Sequence, residues 1–142
     1  MAKMDKERNK ELVEIAQKVL KEQNILLSKD CTILDSYNGQ VASLSVSVAM
    51  LGLVPTLAVF YQDKPNDNEK KAYRRNVLDA VSRMICYDSR AKDDWKHFSD
   101  NGYFAKNMFS YAIDHRDDSL LRNEIIECAI ALKQIVRTYN LV

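Results

Sequence analysis

Turn-forming residues are scarce in this sequence, with three glycines and two prolines among 142 residues. That scarcity argues against a hairpin-rich all-β domain and for long regular elements. The glycines are also isolated, which excludes a Gly-rich phosphate loop. No sign of charge dominates: 21 Lys and Arg stand against 20 Asp and Glu, for a formal net charge of +1. Without a global field, any surface for nucleic acid has to be a local patch. Cysteine is confined to Cys31, Cys86 and Cys128, odd in number, widely spaced and without a CxxC pair. The expectation is reduced, mostly buried thiols in a cytosolic protein. The opening MAKMDKERNKELVE is too charged to read as a secretory signal, and no lipidation motif is expected.

What is present is ordinary globular material, 46% hydrophobic and 29% charged, in a length suited to a single domain over residues 1–142 with one core. From about Met4 to Gln23, Leu12, Ile15, Ala16, Val19 and Leu20 recur at three- and four-residue spacing, with Glu14 and Lys18 one turn apart. This predicts an amphipathic helix. NILLSKDCTILD then breaks the period and reads as an irregular connector.

The most unusual stretch follows: Ser36 to Gln62 holds 27 residues without a formal charge. Within it Leu44, Val46, Val48 and Met50 alternate with small residues, a strand-like pattern. Tyr37, Val41, Leu44, Val48 and Leu51 form an equally good helical stripe. Asp35 or Ser36 as N-cap, Gly52 as a stop and the lack of a partner strand favour helix. A membrane span is disfavoured by the GLVP interruption, by the interspersed Ser and Thr, and by flanks without a basic cluster. The prediction is two core helices meeting at Gly52–Pro55, the second from about Leu53 to Tyr61. Small residues Ser43 with Ser47 and Ser45 with Ala49 allow close helix approach, within the core or across a subunit interface; the core is favoured on base rates.

Beyond the polar QDKPNDNEK loop, Asp67 or Asn68 is a candidate cap for a helix reaching Tyr87, its buried face formed by Tyr73, Val77, Val81, Met84 and Ile85. DSRAKDDWKHFSDNGY is expected to hold one short helix with Trp95 and Phe98 turned inward. Tyr103 to Ile113 reads as another helix and DHRDDS as a turn. A strongly periodic helix follows from Ser119 to Tyr139 on Leu121, Ile125, Cys128, Leu132, Ile135 and Tyr139. The fold class is all-α, a compact bundle of about six helices.

Catalytic chemistry is poorly supplied. His97 and His115 have no metal-ligand spacing, so no metal site, cofactor or catalytic residue is expected. A Cys86–His97 nucleophile pair is a minor alternative, because structural cysteines outnumber catalytic ones. The Asp93–Asp94 and Asp117–Asp118 pairs read as caps and solubilising charges. The basic run EKKAYRRN is more informative. On a helix, Lys70 with Arg74 and Lys71 with Arg75 stack one turn apart and project to one side. A solvated face is the plain reading. The other is a phosphate-contacting strip, aided by amides at the helix start and indifferent to sequence.

The order of features resembles the small α-helical subunit of the type III-B CRISPR effector, the Cmr complex. The resemblance rests on Tyr37 opening the uncharged helix, and on Gly52, Leu53, Thr56, Leu57, Ala58, Phe60 and Lys64 at the end of GLVPTLAVFYQDK. Val59 stands between Ala58 and Phe60, where the family often has the aromatic residue directly after alanine. In layout the likeness covers most of the chain; in motif it covers about Tyr37 to Lys64.

The resemblance implies a cytoplasmic, non-catalytic subunit in antiviral defence. Several copies stack beside the repeating backbone subunits that hold the guide RNA and carry out cleavage, and help hold the guide–target RNA duplex. Guide–target pairing reads sequence in such a machine, leaving the protein to recognise shape and phosphate. The RNA-binding candidates are then Lys64, carried over from the motif, and Lys70, Lys71, Arg74 and Arg75. Lys133 and Arg137, four apart on the closing helix, are added with a solvated face as their alternative. Expected partners are other Cmr subunits, further copies of the chain and the RNA duplex, with no membrane. The competing reading is a helical protein–protein adaptor with no nucleic-acid contact.

Overall fold

The computed structural model describes residues 6–23, 26–28, 30–65, 71–116 and 118–142. Met4, Asp67, Asn68, Lys70 and Asp117, each invoked above, lie outside the described residues. The fold is all-α, with seven α-helices among the described residues. Helix α1 (Lys6–Gln23) buries Leu12, Ala16, Val19 and Leu20 of the predicted stripe and half-buries Ile15.

The uncharged stretch divides into α2 (Asp35–Leu51) and α3 (Leu53–Gln62). Their geometry resolves the strand-like alternation. Leu44 and Val48 are buried, whereas Val46 and Met50 are 55% and 77% exposed, the split a helix imposes on alternate residues. The break falls at Gly52, whose φ of +92° lies where a side chain is strained and whose N–H donates to the Val48 carbonyl at 3.1 Å. Pro55 is the third residue of α3, where the missing N–H costs no intrahelical bond. A Cβ at Gly52 meets no atom within 4 Å, so the cost of Gly52→Ala is set by backbone strain alone. The expected loss is about 1–3 kcal/mol, read as a lower urea midpoint at unchanged slope.

The stretch is only half core. Leu51 is 65% exposed, Ser43 and Ala49 are exposed, and Ser45 and Ser47 are half-buried, so the small-residue face lies at the surface and not in the core as expected. One helix buries one stripe, and α2 spends its stripe on Tyr37, Val41, Leu44 and Val48.

Helix α4 (Arg74–Tyr87) starts later than the sequence suggested. It is followed by α5 (Asp93–Lys96), a 3-10 segment (His97–Gly102), α6 (Phe104–Asp114) and α7 (Ser119–Val136). Trp95 and Phe98 are buried as predicted, and so are Val77, Val81, Met84 and Ile85 on α4. Asp118 caps α7, its carboxylate accepting from the Leu120 and Leu121 amides at 3.0 and 3.1 Å. Helix α7 packs on α1, α2 and α4, placing Ile125, Cys128 and Leu132 at the centre, while α3 packs on α4 and α6.

The connector before α2 is more regular than its sequence implied. Thr32–Ile33 (β1) pairs in parallel with Asn140–Leu141 (β2), and the Asp35 N–H donates to the Val142 carbonyl at 2.9 Å. Two residues carry no readable period, which is why the pairing was invisible in sequence. Of the thiols only Cys128 is buried; Cys86 is half-buried and Cys31 exposed, which corrects the expectation of mostly buried cysteines. Among the described residues no helix is long and apolar enough to cross a membrane.

Candidate nucleic-acid interface

The basic strip has a different shape from the one its spacing predicted. Lys70 lies outside the described residues, and Lys71 precedes α4 in non-helical chain, so the two stacked pairs do not form along one helix. The cause is tertiary. Tyr73 is extended (φ −112°, ψ 131°), and its N–H and the Asn76 side-chain amide both donate to the Tyr37 hydroxyl, at 3.4 and 2.8 Å. The Gln40 amide donates to the Ala72 carbonyl at 3.0 Å. Ala72 and Tyr73 are thereby pressed, buried, against α2, and a helical start at residue 68 would forfeit these bonds.

The exposed start of α4 is also occupied by the chain itself. The Asp63 carboxylate accepts from the Arg74 amide at 2.8 Å and lies 3.8 Å from its guanidinium, and the Asp63 carbonyl accepts from the Arg75 amide at 3.1 Å. An acidic group at a helix N-terminus is favoured by the dipole. It fills the place at the helix start that the sequence offers to phosphate. Arg75 donates through Nε to the Tyr61 carbonyl, and its guanidinium carbon sits 3.9 Å over the Tyr61 ring. Lys71 places Nζ 5.2 Å from the Tyr73 ring centroid. Lys64, Lys71 and Arg74 are exposed and Arg75 is half-buried. These four form one cationic corner where α3 ends and α4 begins.

Lys133 and Arg137 belong elsewhere. They border a groove between α2 and α7 with Ala42, Ser45, Val46 and Ile130. The seven-residue set is therefore two groups, with Lys70 undescribed.

A second cleft of about 450 Å³ opens beside the cationic corner, between α3, α4 and the start of α6. Tyr61, Arg75, Tyr103, Phe104 and Lys106 line it. Asn101 and Gly102, with φ of +57° and +75°, turn the chain there, and Tyr103 emerges 60% exposed. Lys106 Nζ lies 5.5 Å from the Tyr103 ring centroid. Asp79, the carboxylate on the wall, is bound to Arg83 at 2.8 Å. The sequence reading had placed Tyr103 only as a helix start and passed over Lys106.

Most of the motif residues behind the family resemblance are structural, Lys64 being exposed. Leu53, Thr56, Leu57 and Phe60 are buried, and Tyr37 fastens α2 to the chain entering α4. Burying Leu57 and Phe60 contributes on the order of 1.5–3 kcal/mol each before cavity effects.

The most perturbed titratable groups lie away from both clefts. Arg8 on α1, 2% exposed, donates bidentately to Asp88 after α4 and reaches both oxygens of Glu124 on α7 at 2.7 and 2.8 Å. Glu127 and Glu11 stand 3.7 and 3.9 Å from the same guanidinium. Burial alone raises the Asp88 carboxyl, but hydrogen bonds from Arg8 and the Arg90 amide prevail and hold it down to about 2. Burial, together with neighbouring Asp88, pushes Glu124 up to about 8. One cation facing several carboxylates leaves a proton on the least well-bonded acid. Burial, then Glu124, also drives the Cys128 thiol up, consistent with an inert structural cysteine. This cluster is a clamp among α1, α7 and the chain after α4. Its sequence signal was a charge inside an apolar stripe: Arg8 four before Leu12, and Glu124 between Leu121 and Cys128.

The expected lack of a nucleophile pair remains a reading of the sequence. Cys86 Sγ donates to the Lys96 carbonyl at 3.4 Å, and His97 Nδ1 lies 3.4 Å from Asp100. Among the described residues no three His, Cys, Asp or Glu side chains are grouped to hold a metal ion. No protein-family model, curated protein or solved structure matches this chain.

Proposed function

We propose that the chain is a non-catalytic small subunit of an RNA-guided antiviral effector of the type III-B CRISPR kind. It sits in the cytoplasm in several copies beside the backbone subunits and steadies the guide–target RNA duplex through phosphate contacts. The observation that carries this reading is the placement of Lys64, Lys71, Arg74 and Arg75 where α3 ends and α4 begins, with Asp63 alone of the described carboxylates there paired to Arg74, in a chain whose net charge is only +1. Such a corner attracts phosphate without reading bases, and a near-neutral remainder lets copies approach one another. The resemblance in order of features over most of the chain, and in motif from about Tyr37 to Lys64, supports the choice of machine.

The exposed uncharged surface of Val46, Met50, Leu51 and Val59 supports the assembly half of the proposal. Charge depletion with exposed Met and aliphatic side chains is typical of interface cores. The same surface favours the second reading, a helical protein–protein adaptor that touches no RNA.

Gentle purification of the tagged chain from its native cell separates the two. The expected result is co-recovery of larger Cmr-type subunits together with a short guide RNA. Recovery with protein partners and no RNA supports the adaptor instead.

A further inference from the structure

We infer that the cleft bounded by Tyr61, Arg75, Tyr103 and Lys106 is a subsite for one unpaired base of single-stranded RNA. The inference deepens the proposed function and rests on its RNA-binding reading.

Three features of the cleft converge on that ligand. Its size suits a single planar group and its sugar: about 450 Å³, at the small end of ligand pockets. Its walls are aromatic and cationic together. The Arg75 guanidinium carbon sits 3.9 Å over the Tyr61 ring, and Tyr61 is backed by Phe109 with ring centroids 5.2 Å apart and planes tilted by 37°, which makes a packed cationic and aromatic wall. Tyr103, on the same cleft, is presented to solvent by two consecutive left-handed residues, Asn101 and Gly102. A base between aromatic and guanidinium faces gains stacking whatever its identity. Finally, the charge balance suits a phosphate-bearing ligand. Among the described residues lining the cleft the one carboxylate, Asp79, is bound to Arg83 at 2.8 Å, while Lys106 and Arg75 bring positive charge to the wall. The cleft adjoins the cationic corner through Arg75, so a strand whose phosphates follow Lys71 and Arg74 can place a base there.

An apolar metabolite would leave the cation-rich rim unanswered, and an acidic peptide would gain nothing from the two ring platforms. The chemistry therefore favours a nucleotide over either. Arg75 acts here as a stacking platform, a role distinct from the purely phosphate-directed one its sequence context suggested.

The test uses the full chain and a short single-stranded RNA carrying 2-aminopurine, with affinity read by anisotropy of an end label and stacking read by 2-aminopurine emission. Binding is expected to quench that emission. Tyr103→Ala is expected to abolish the quench and weaken affinity by roughly 5- to 150-fold, leaving the salt slope unchanged because no charge is removed. Tyr103→Phe, which keeps the ring, is expected to retain both signals. Tyr103 is exposed enough that neither change threatens the fold. RNA bound with unchanged emission, or bound equally by wild type and Tyr103→Ala, would overturn the subsite while leaving the RNA-binding reading intact. No single-stranded RNA bound at any salt concentration would overturn the subsite, while the RNA-binding reading is decided separately by whether RNA copurifies with the tagged chain.

Discussion

Replacing Arg8 with alanine is expected to destabilise the protein by about 3–5 kcal/mol, a large share of the 5–15 kcal/mol typical of a domain. The ion cluster is not itself a source of net stability, since burying charges costs several kcal/mol per ion and the attraction only repays it. The loss arises because Arg8→Ala strands Asp88 and Glu124, both under 10% exposed, with their guanidinium partner gone. Three separate parts of the chain then lose their common anchor: α1, the segment after α4, and α7. Urea unfolding of the two proteins at one pH checks the magnitude.

The same cluster gives stability a pH dependence whose sign follows from Glu124. Its folded-state carboxyl is raised above the unfolded value, so its contribution is fully present below the ordinary carboxylate range. It is lost as pH rises through about 8. Asp88 acts in the opposite sense, its depressed carboxyl contributing above the ordinary range and losing that contribution only as pH falls towards about 2. The urea midpoint of the native protein is therefore expected to fall between pH 6 and pH 9. Glu124→Gln, a neutral stand-in for the protonated acid, should flatten that fall.

Sequence reasoning read some elements well, for identifiable physical reasons. The turn between α2 and α3 was legible because Gly52 tolerates a φ of +92° and Pro55 suits a first turn; the closing helix was legible because its buried residues keep a helical period. The start of α4 was not. Local capping signals at Asp67 and Asn68 suggested an early start, whereas Ala72 and Tyr73 answer to Gln40 and Tyr37, more than thirty residues away. The uncharged stretch misled in another way. Absence of charge marked it as interior, yet Val46, Met50 and Leu51 lie outside, because apolar side chains are not confined to cores. For the candidate site, residue types were read correctly but not their geometry. Spacing placed four cations on one helix; Arg74 and Arg75 are on α4, Lys71 precedes it, and Lys70 lies outside the described residues. Tyr103 and Lys106 join Arg75 through a tertiary approach that no local pattern encodes.

Reversing Arg74 and Arg75 together is expected to have the largest effect on function. Two glutamates in the first turn of α4 are favoured by the helix dipole, but Arg74→Glu also gives up the ion pair with Asp63 and sets a second carboxylate beside it. Arg75→Glu does give up the hydrogen bond to the Tyr61 carbonyl, so the comparison includes a check of thermal unfolding. At the RNA, two attractive contacts become repulsive. Affinity at about 0.1 M salt is expected to fall on the order of 10- to 100-fold, and the slope of log affinity against log salt to shrink by about 2. The decisive experiment is this salt titration, made on the particle that copurifies with the tagged chain and on the same particle carrying Arg74→Glu with Arg75→Glu. The account predicts weaker binding of the RNA duplex and a shallower salt slope in the variant. Equal affinity and equal slope, in a variant that assembles and unfolds like the wild type, would contradict the assignment of this corner to RNA.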